Sequence, residues 1–191
     1  IDYKADVEAP LPMIYQSGYL TIKNFDGEYY RLDFPNKEVE EGFTKFIVPY
    51  YVGKSDAGEW RQLKLEVEAG NPDAFLTRIR RLLASVAADM QPNQVEHNYR
   101  NMLFLLFKVT GVEVRMEEPT SAGRIDMVVR TDKYVYVMEF KLNQSAEKAM
   151  RQITDKHYAD SYLGGPQQVF RIGVNFAEET KNIDDWTIEK G

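Results

Sequence analysis

The chain has 191 residues, of which 43% are hydrophobic and 13% aromatic, so it can bury a substantial core. Its net charge of -6 argues against a protein that coats nucleic acid non-specifically, and the absence of cysteine excludes disulfides, thiolate zinc sites and cysteine nucleophiles. No apolar run is long enough to span a bilayer and no export signal begins the chain, so we expect a cytoplasmic protein with no membrane partner.

The first segment carries hairpin and helix signals of its own. Asp26-Gly27 lies between two strand-like runs and predicts a hairpin. Asn36 can cap a helix that continues to about Tyr50, and the stretch that follows from Val52 is polar and non-periodic. We therefore expect residues 1–55 to form a hairpin-plus-helix segment and residues 56–191 to form the main domain.

Two or three helices are predicted next, and the sequence marks the starts of two of them. Asn71-Pro72-Asp73 supplies a capping side chain, a proline for the first turn and an acid at the positive end of the helix dipole. A second helix begins near Asn93 and ends near Gly111, and Glu96 borders its apolar stripe.

From Val112 the hydrophobic period changes from helical spacing to two, which is typical of strands. A half-buried strand is followed by a turn at 119–123, by a second strand at 125–130 and by a third at 134–141. Thr131-Asp132-Lys133 joins the last two strands as a tight hairpin.

The remaining pattern predicts a helix and one more strand. Ser145 can cap a helix whose inward-facing residues are Ala146, Ala149, Met150 and Ile153. The run 169–176 is a strand reached through this helix, so it should lie parallel to the preceding one. The order helix, three strands, helix, strand predicts an α/β fold with a mixed sheet flanked by helices.

Charged residues end an otherwise apolar strand at Glu139 and Lys141, which share one face because they are two positions apart. The hairpin places Asp126 level with Glu139 or diagonal to it, and directly opposed side chains are roughly 5 Å apart. Two carboxylates this close repel each other unless a cation lies between them or one is protonated. Mg²⁺ suits two carboxylates and a backbone carbonyl, here that of Phe140.

The arrangement of Asp126 and Glu139-Phe140-Lys141, with Glu96 on an earlier helix, resembles the PD-(D/E)XK nuclease superfamily. The phrases "YQSGYLTI", "FPNKEV" and "GRIDMVV" are similar to the branch whose members follow an AAA-type ATPase-like domain in one chain. This resemblance implies a restriction-endonuclease-like fold and an upstream ATPase-like domain in a longer protein, with residues 1–55 as the tail of that domain.

The resemblance also implies roles for individual residues. Asp126, Glu139 and the Phe140 carbonyl would hold Mg²⁺ or Mn²⁺, Lys141 would orient water or stabilise phosphate charge, and Glu96 would complete the metal shell or act as a base. Gln152 matches a glutamine that many relatives carry, although Lys156 stands where they have a tyrosine. Ile125 precedes Asp126 where the family often has proline.

Plainer interpretations remain open for these residues. Asp126 and Glu139 could form ordinary salt bridges with Arg124 and Lys141 at a sheet edge. Glu96 could be a helix-start acid that the dipole favours, and Gln152 a solvated or packing residue.

The sequence thus favours a Mg²⁺-dependent phosphodiesterase that acts on nucleic acid, with DNA implied by the resemblance. A local basic patch would bind the substrate despite the acidic total charge; its residues are Arg124, Lys141, Lys148, Arg151 and Lys156, and Gln152 would be a further nucleic-acid contact. The alternative function is a non-catalytic nucleic-acid-binding or regulatory module that keeps the fold and serves an upstream ATPase.

Overall fold

The structure is a computed structural model that describes residues 20–25, 27, 30–39, 57–86, 100, 102–104, 106–108 and 110–191. The chain divides into two compact units, Ile1–Ile47 and Val48–Gly191. The domain boundary that the sequence predicts near residue 55 stays a prediction.

The first unit contains a two-stranded antiparallel sheet of β1 (Thr21–Phe25) and β2 (Tyr30–Asp33). Gly27, between these strands, has a φ of 103°, a conformation that glycine adopts without strain. The Asn36 side chain accepts a hydrogen bond from the Val39 backbone at 2.9 Å, as expected of a helix cap. The rest of the helix predicted to reach Tyr50 lies outside the described residues.

The second unit is built around a five-stranded sheet with the order β3-β4-β5-β6-β7. Its elements in chain order are α1 (Ala57–Glu68), α2 (Pro72–Val86), β3 (Glu113–Thr120), β4 (Gly123–Arg130), β5 (Tyr134–Leu142), α3 (Ala146–Asp155), β6 (Gln168–Ala177) and β7 (Asn182–Lys190). Residues 100, 102–104 and 106–108 are also helical. Within the described ranges, no helix combines the length and the apolar character that crossing a bilayer requires.

The predicted order of helix, three strands, helix and strand is confirmed. Strands β3, β4 and β5 are antiparallel neighbours, whereas β6 runs parallel to β5 after the crossover through α3. The result is the mixed α/β sheet, flanked by helices, of a restriction-endonuclease-like fold.

The structure differs from the predicted elements in two details and adds a strand that the sequence does not predict. The turn expected from Pro119 begins later, because β3 continues to Thr120; β3 is an edge strand, where proline removes no ladder hydrogen bond. Helix α1 begins at Ala57, inside the stretch that the sequence marks as non-periodic loop. Strand β7 adds to the sheet beyond Phe176, antiparallel to β6.

Helices cover both faces of the sheet. On one face α1, α2 and the helical residues around Leu103 pack on alternate strand residues that include Met138 and Phe140. On the other face Met150 and Ile153 of α3 pack on the remaining set. Strand β5 is therefore buried on both sides, and a charged side chain at its end enters a largely dry environment.

Helix α3 is held at a defined height over the sheet. Ser145 caps it by accepting a hydrogen bond from the Lys148 backbone at 3.2 Å, and the four residues predicted to face inward are buried. A Cβ atom on Gly173 of β6 would lie 2.7 Å from the Met150 backbone nitrogen and would also strike the Ala146 carbonyl oxygen. Because Gly173 lacks this atom, α3 packs directly on the strand next to β5.

Candidate active site

The end of β5 presents Glu139 and Lys141 on the face that α3 covers. Met138 and Phe140, which alternate with them, join the core on the opposite face. The Glu139 side chain is only 3% exposed and that of Lys141 15% exposed. The two charges that the sequence places at the strand end are therefore largely withdrawn from water.

Asp126 interrupts the pairing between β4 and β5. The backbone ladder ends at Met127 and Met138. Two residues further along β5, the Phe140 amide donates a hydrogen bond to Asp126 Oδ2 at 2.9 Å. A carboxylate oxygen thus takes the place of a backbone carbonyl. This contact fixes the Asp126 carboxylate beside the end of β5, next to Glu139.

The Glu139 carboxyl is electrostatically strained. Burial, together with the nearby negative charge of Asp126, raises its pKa to about 7, although the Lys141 ammonium partly offsets both effects. Its Oε2 atom is buried and has no hydrogen-bond partner among the residues that the structure describes. The site therefore holds a carboxylate oxygen whose bonding capacity is not used by the protein.

Lys141 bridges β5 and α3. Its ammonium donates to Glu139 Oε1 at 3.1 Å and to Gln152 Oε1 at 2.7 Å. Gln152 lies on α3, and the close packing of α3 over Gly173 brings it within reach of the strand. The glutamine that the sequence leaves open as a solvated or packing residue is thus a hydrogen-bond partner of Lys141.

Arg100 is a member of the site that the sequence analysis does not identify. Its Nη1 lies 3.1 Å from Asp126 Oδ1 and 3.0 Å from Glu117 Oε1. The sequence held one signal for Arg100: it lies four positions after Glu96, about one helical turn along the predicted helix. Glu96 itself, expected to complete a metal shell, lies outside the described residues.

The ordinary salt-bridge interpretation holds for one acid and is wrong for the other. Lys141 pairs with Glu139, whereas the partner of Asp126 is Arg100 and not Arg124. Arg124 is 71% exposed and approaches Glu117 Oε2 at 4.0 Å instead. Asp126 therefore belongs to a partly buried ion-pair cluster and not to a solvated sheet edge.

The other basic residues proposed from the sequence are exposed. Lys148 and Arg151 lie on α3, and Lys156 caps the carboxyl end of this helix. These side chains are free to meet a ligand approaching the helix from solvent.

Asp126 and Glu139 do not line the cavity next to the hairpin between β4 and β5. A cavity of about 790 Å³ lies at the opposite ends of β4 and β5, where Arg130 and Lys133 contribute to its wall. Asp126 and Glu139 lie at the other ends of these strands, where the described residues contain no group of three or more acidic or histidine side chains that could hold a metal.

The chain is similar to a curated protein and to a family of nucleases. The chain is 30% identical over 189 residues to a protein of Azotobacter chroococcum mcd 1 described as "Uncharacterized protein in vnfD 5'region". The alignment covers 93% of this chain and 37% of that protein, so the chain spans just over a third of the relative's length. Residues 94–186, which include Arg100, Asp126, Glu139 and Lys141, match the family model of the PD-(D/E)XK nuclease superfamily.

Proposed function

We propose that this chain forms part of a metal-dependent nucleic-acid phosphodiesterase that acts on DNA. The observation that carries the proposal is the pair Asp126 and Glu139, held together at the ends of β4 and β5 beside the Lys141 ammonium. The family match over residues 94–186 supports a nuclease-like fold for this segment.

The side chains suit a hard divalent ion. Glu139 keeps a buried oxygen without a hydrogen-bond partner among the described residues, and the Asp126 charge raises its pKa. A cation bound here would relieve both penalties. Asp126, Glu139 and the Phe140 carbonyl would hold Mg²⁺ or Mn²⁺, which prefer oxygen ligands and keep several waters. Such an ion, when bound, polarises a phosphate and lowers the pKa of its water.

Lys141 is the residue with a direct task in the proposed reaction. An ammonium has three N–H donors, and two of them bond Glu139 and Gln152, so within the described part of the chain the third is free for a phosphate oxygen. Glu139 and Gln152 fix the direction of this donor. A positioned cation of this kind stabilises the negative charge that develops during phosphodiester hydrolysis.

The exposed cations around α3 suit the nucleic-acid backbone. Arg124, Lys148, Arg151 and Lys156 would neutralise phosphates on either side of the scissile bond, and Gln152 would add a polar contact. A local set of cations of this kind would allow a nucleic-acid substrate despite the net charge of -6.

The alternative is a non-catalytic nucleic-acid-binding or regulatory module with a nuclease-like fold. One observation favours it. Both oxygens of Asp126 are already bonded inside the protein, to Arg100 and to the Phe140 amide. In a module without an ion, these contacts would be sufficient to stabilise the acid.

An upstream ATPase-like domain is a further part of the proposal. It rests on the phrases that resemble the ATPase-associated branch, and the greater length of the Azotobacter relative leaves room for such a domain in that protein. The full open reading frame tests it, because a phosphate-binding loop before Ile1 would support coupling to ATP hydrolysis.

The decisive experiment is a cleavage assay with the full-length protein. Linear, circular and single-stranded DNA are each incubated with Mg²⁺, with Mn²⁺ or with a chelator, and with ATP present or absent. We expect cleavage that requires the metal and is lost in Asp126→Ala. If the protein binds DNA but does not cleave it under any metal condition, the nuclease proposal is wrong and the binding-module alternative replaces it.

A further inference from the structure

Arg100 lies between Asp126 and Glu117, at a position that suits a cation. Its guanidinium touches Asp126 Oδ1 at 3.1 Å and Glu117 Oε1 at 3.0 Å, and its side chain is 20% exposed. Asp126 itself is 15% exposed, so the ion pair is shielded from much of the solvent. A charge pair in such surroundings is screened less than one on the open surface.

The contact uses the one oxygen of Asp126 that is not committed to the backbone. Oδ2 accepts the Phe140 amide and closes the gap between β4 and β5, which leaves Oδ1 for a cation. In the structure that cation is Arg100. A divalent ion at the same oxygen would lie close to the guanidinium, and two positive charges at this distance repel each other.

The surrounding charges make Arg100 necessary when no ion is bound. Met116 of β3 pairs with Met127 of β4, and Glu118 pairs with Ile125. Glu117 and Asp126 lie between these pairs and are therefore opposite each other. Glu139 follows on β5, where it forms an ion pair with Lys141. Without Arg100, the first two carboxylates would repel each other, because Arg124 is exposed and reaches only to 4.0 Å from Glu117.

We propose that Arg100 is a built-in competitor of the divalent ion, a positioning residue that neutralises Asp126 in the ion-free protein and leaves Oδ1 when the ion binds. The inference rests on the proposed metal site and adds a function for a residue that is not one of the proposed metal ligands. Arg100 stabilises the ion-free protein and weakens ion binding, so that the ion affinity is lower than the acids alone would give.

The experiment measures Mn²⁺ binding to the full-length protein by calorimetry, without nucleic acid. Arg100→Met and Arg100→Gln remove the charge, and Arg100→Lys retains it. Arg80→Met is the matched control, since Arg80 lies over Trp186 of β7, three strands from β4. We expect both neutral variants to bind Mn²⁺ at least about tenfold more tightly than wild type, because a neighbouring unit charge usually changes an affinity by this much. Arg100→Lys and Arg80→Met should stay within about threefold of wild type.

Thermal unfolding provides a second readout. In chelator, the neutral Arg100 variants should melt below wild type, because Asp126 and Glu117 then repel each other. Adding Mn²⁺ should raise their melting temperature by more than it raises that of wild type. If one neutral variant does not fold, the other decides the result.

The outcomes separate this inference from the proposed function. In one outcome, wild type binds Mn²⁺ through Asp126 and the folded neutral variants bind it equally well or more weakly. Arg100 then only orients Asp126, so the proposed competition is wrong while the proposed metal site is retained. If no variant binds Mn²⁺ at millimolar concentration, both the metal site and the competition are overturned.

Discussion

Lys141 donates a hydrogen bond to Gln152 across 2.7 Å, and this contact joins the end of β5 to α3. The same ammonium donates to Glu139 at 3.1 Å, so strand and helix together fix its direction. A lysine side chain has considerable rotamer freedom, which two good acceptors restrict. The position of α3 therefore determines where the proposed catalytic cation is held.

Lys141→Met separates ion binding from catalysis. Methionine retains much of the apolar stem, so we expect the fold and Mn²⁺ binding to persist while DNA cleavage falls by about a hundredfold or more, the scale for one positioned electrostatic group. Asp126→Ala should lose both properties. Calorimetry and single-turnover cleavage measure them, with Lys190→Met at the end of β7 as the charge-matched control. Equal cleavage by wild type and Lys141→Met would contradict the catalytic role.

Gln152→Leu tests whether Gln152 acts through Lys141. Loss of the 2.7 Å acceptor frees the ammonium, and we expect cleavage to fall by about tenfold, less than for Lys141→Met. The double variant should cleave no more slowly than Lys141→Met alone, because Gln152 then has no lysine to orient. If the double variant instead loses cleavage by the product of the two single losses, Gln152 contacts the substrate independently of Lys141.

The raised pKa of Glu139 predicts the pH dependence of stability in the ion-free protein. The folded value of about 7 lies above the ordinary 4.5, so between these values the folded state retains a proton that the unfolded chain releases. Stability contributed by this group is therefore present at low pH and is lost as the pH rises toward 7. The Glu139→Gln variant should not lose this stability, because a glutamine side chain does not titrate.

Urea unfolding in chelator at pH 5, 6, 7 and 8 measures the effect. From pH 5 to pH 7 the free energy of unfolding of Glu139→Gln should rise relative to that of wild type by on the order of 2 kcal/mol, and the difference should change little above pH 7. A difference between the two proteins that is the same at every pH would show that Glu139 is ionised throughout.

Gly173→Ala should displace α3. The new methyl group would meet the Met150 nitrogen at 2.7 Å and the Ala146 carbonyl, and overpacking against a backbone costs about 1–3 kcal/mol or more. Because α3 carries Gln152, cleavage should fall together with stability. Gly165→Ala is the control, since its methyl group would meet the Tyr162 carbonyl oxygen at an ordinary 3.5 Å. Chemical denaturation and cleavage assays measure both, and equal stabilities would refute the packing argument.

Much of the second unit follows from local sequence patterns. The alternation along β5 and the short Thr131-Asp132-Lys133 turn set the strands and the hairpin, because side chains on a strand alternate between faces and a tight turn fixes the register. The cap at Ser145 and the four inward-facing residues of α3 also follow from spacing alone. These elements, and the expectation that Asp126 lies level with Glu139 or diagonal to it, therefore followed from residues close together in the chain.

Other features depended on contacts between residues far apart in the chain. Arg100 meets Asp126 across 26 positions, and Lys141 meets Gln152 across 11, which no local periodicity can specify. Strand β7 is only partly buried and carries Asp184 and Asp185, so it lacks a clear alternation and forms by pairing with β6. The sequence by itself determined which residues could carry the chemistry. The tertiary structure decided which of them neutralise one another, because the energy of a charge depends on its neighbours and its burial.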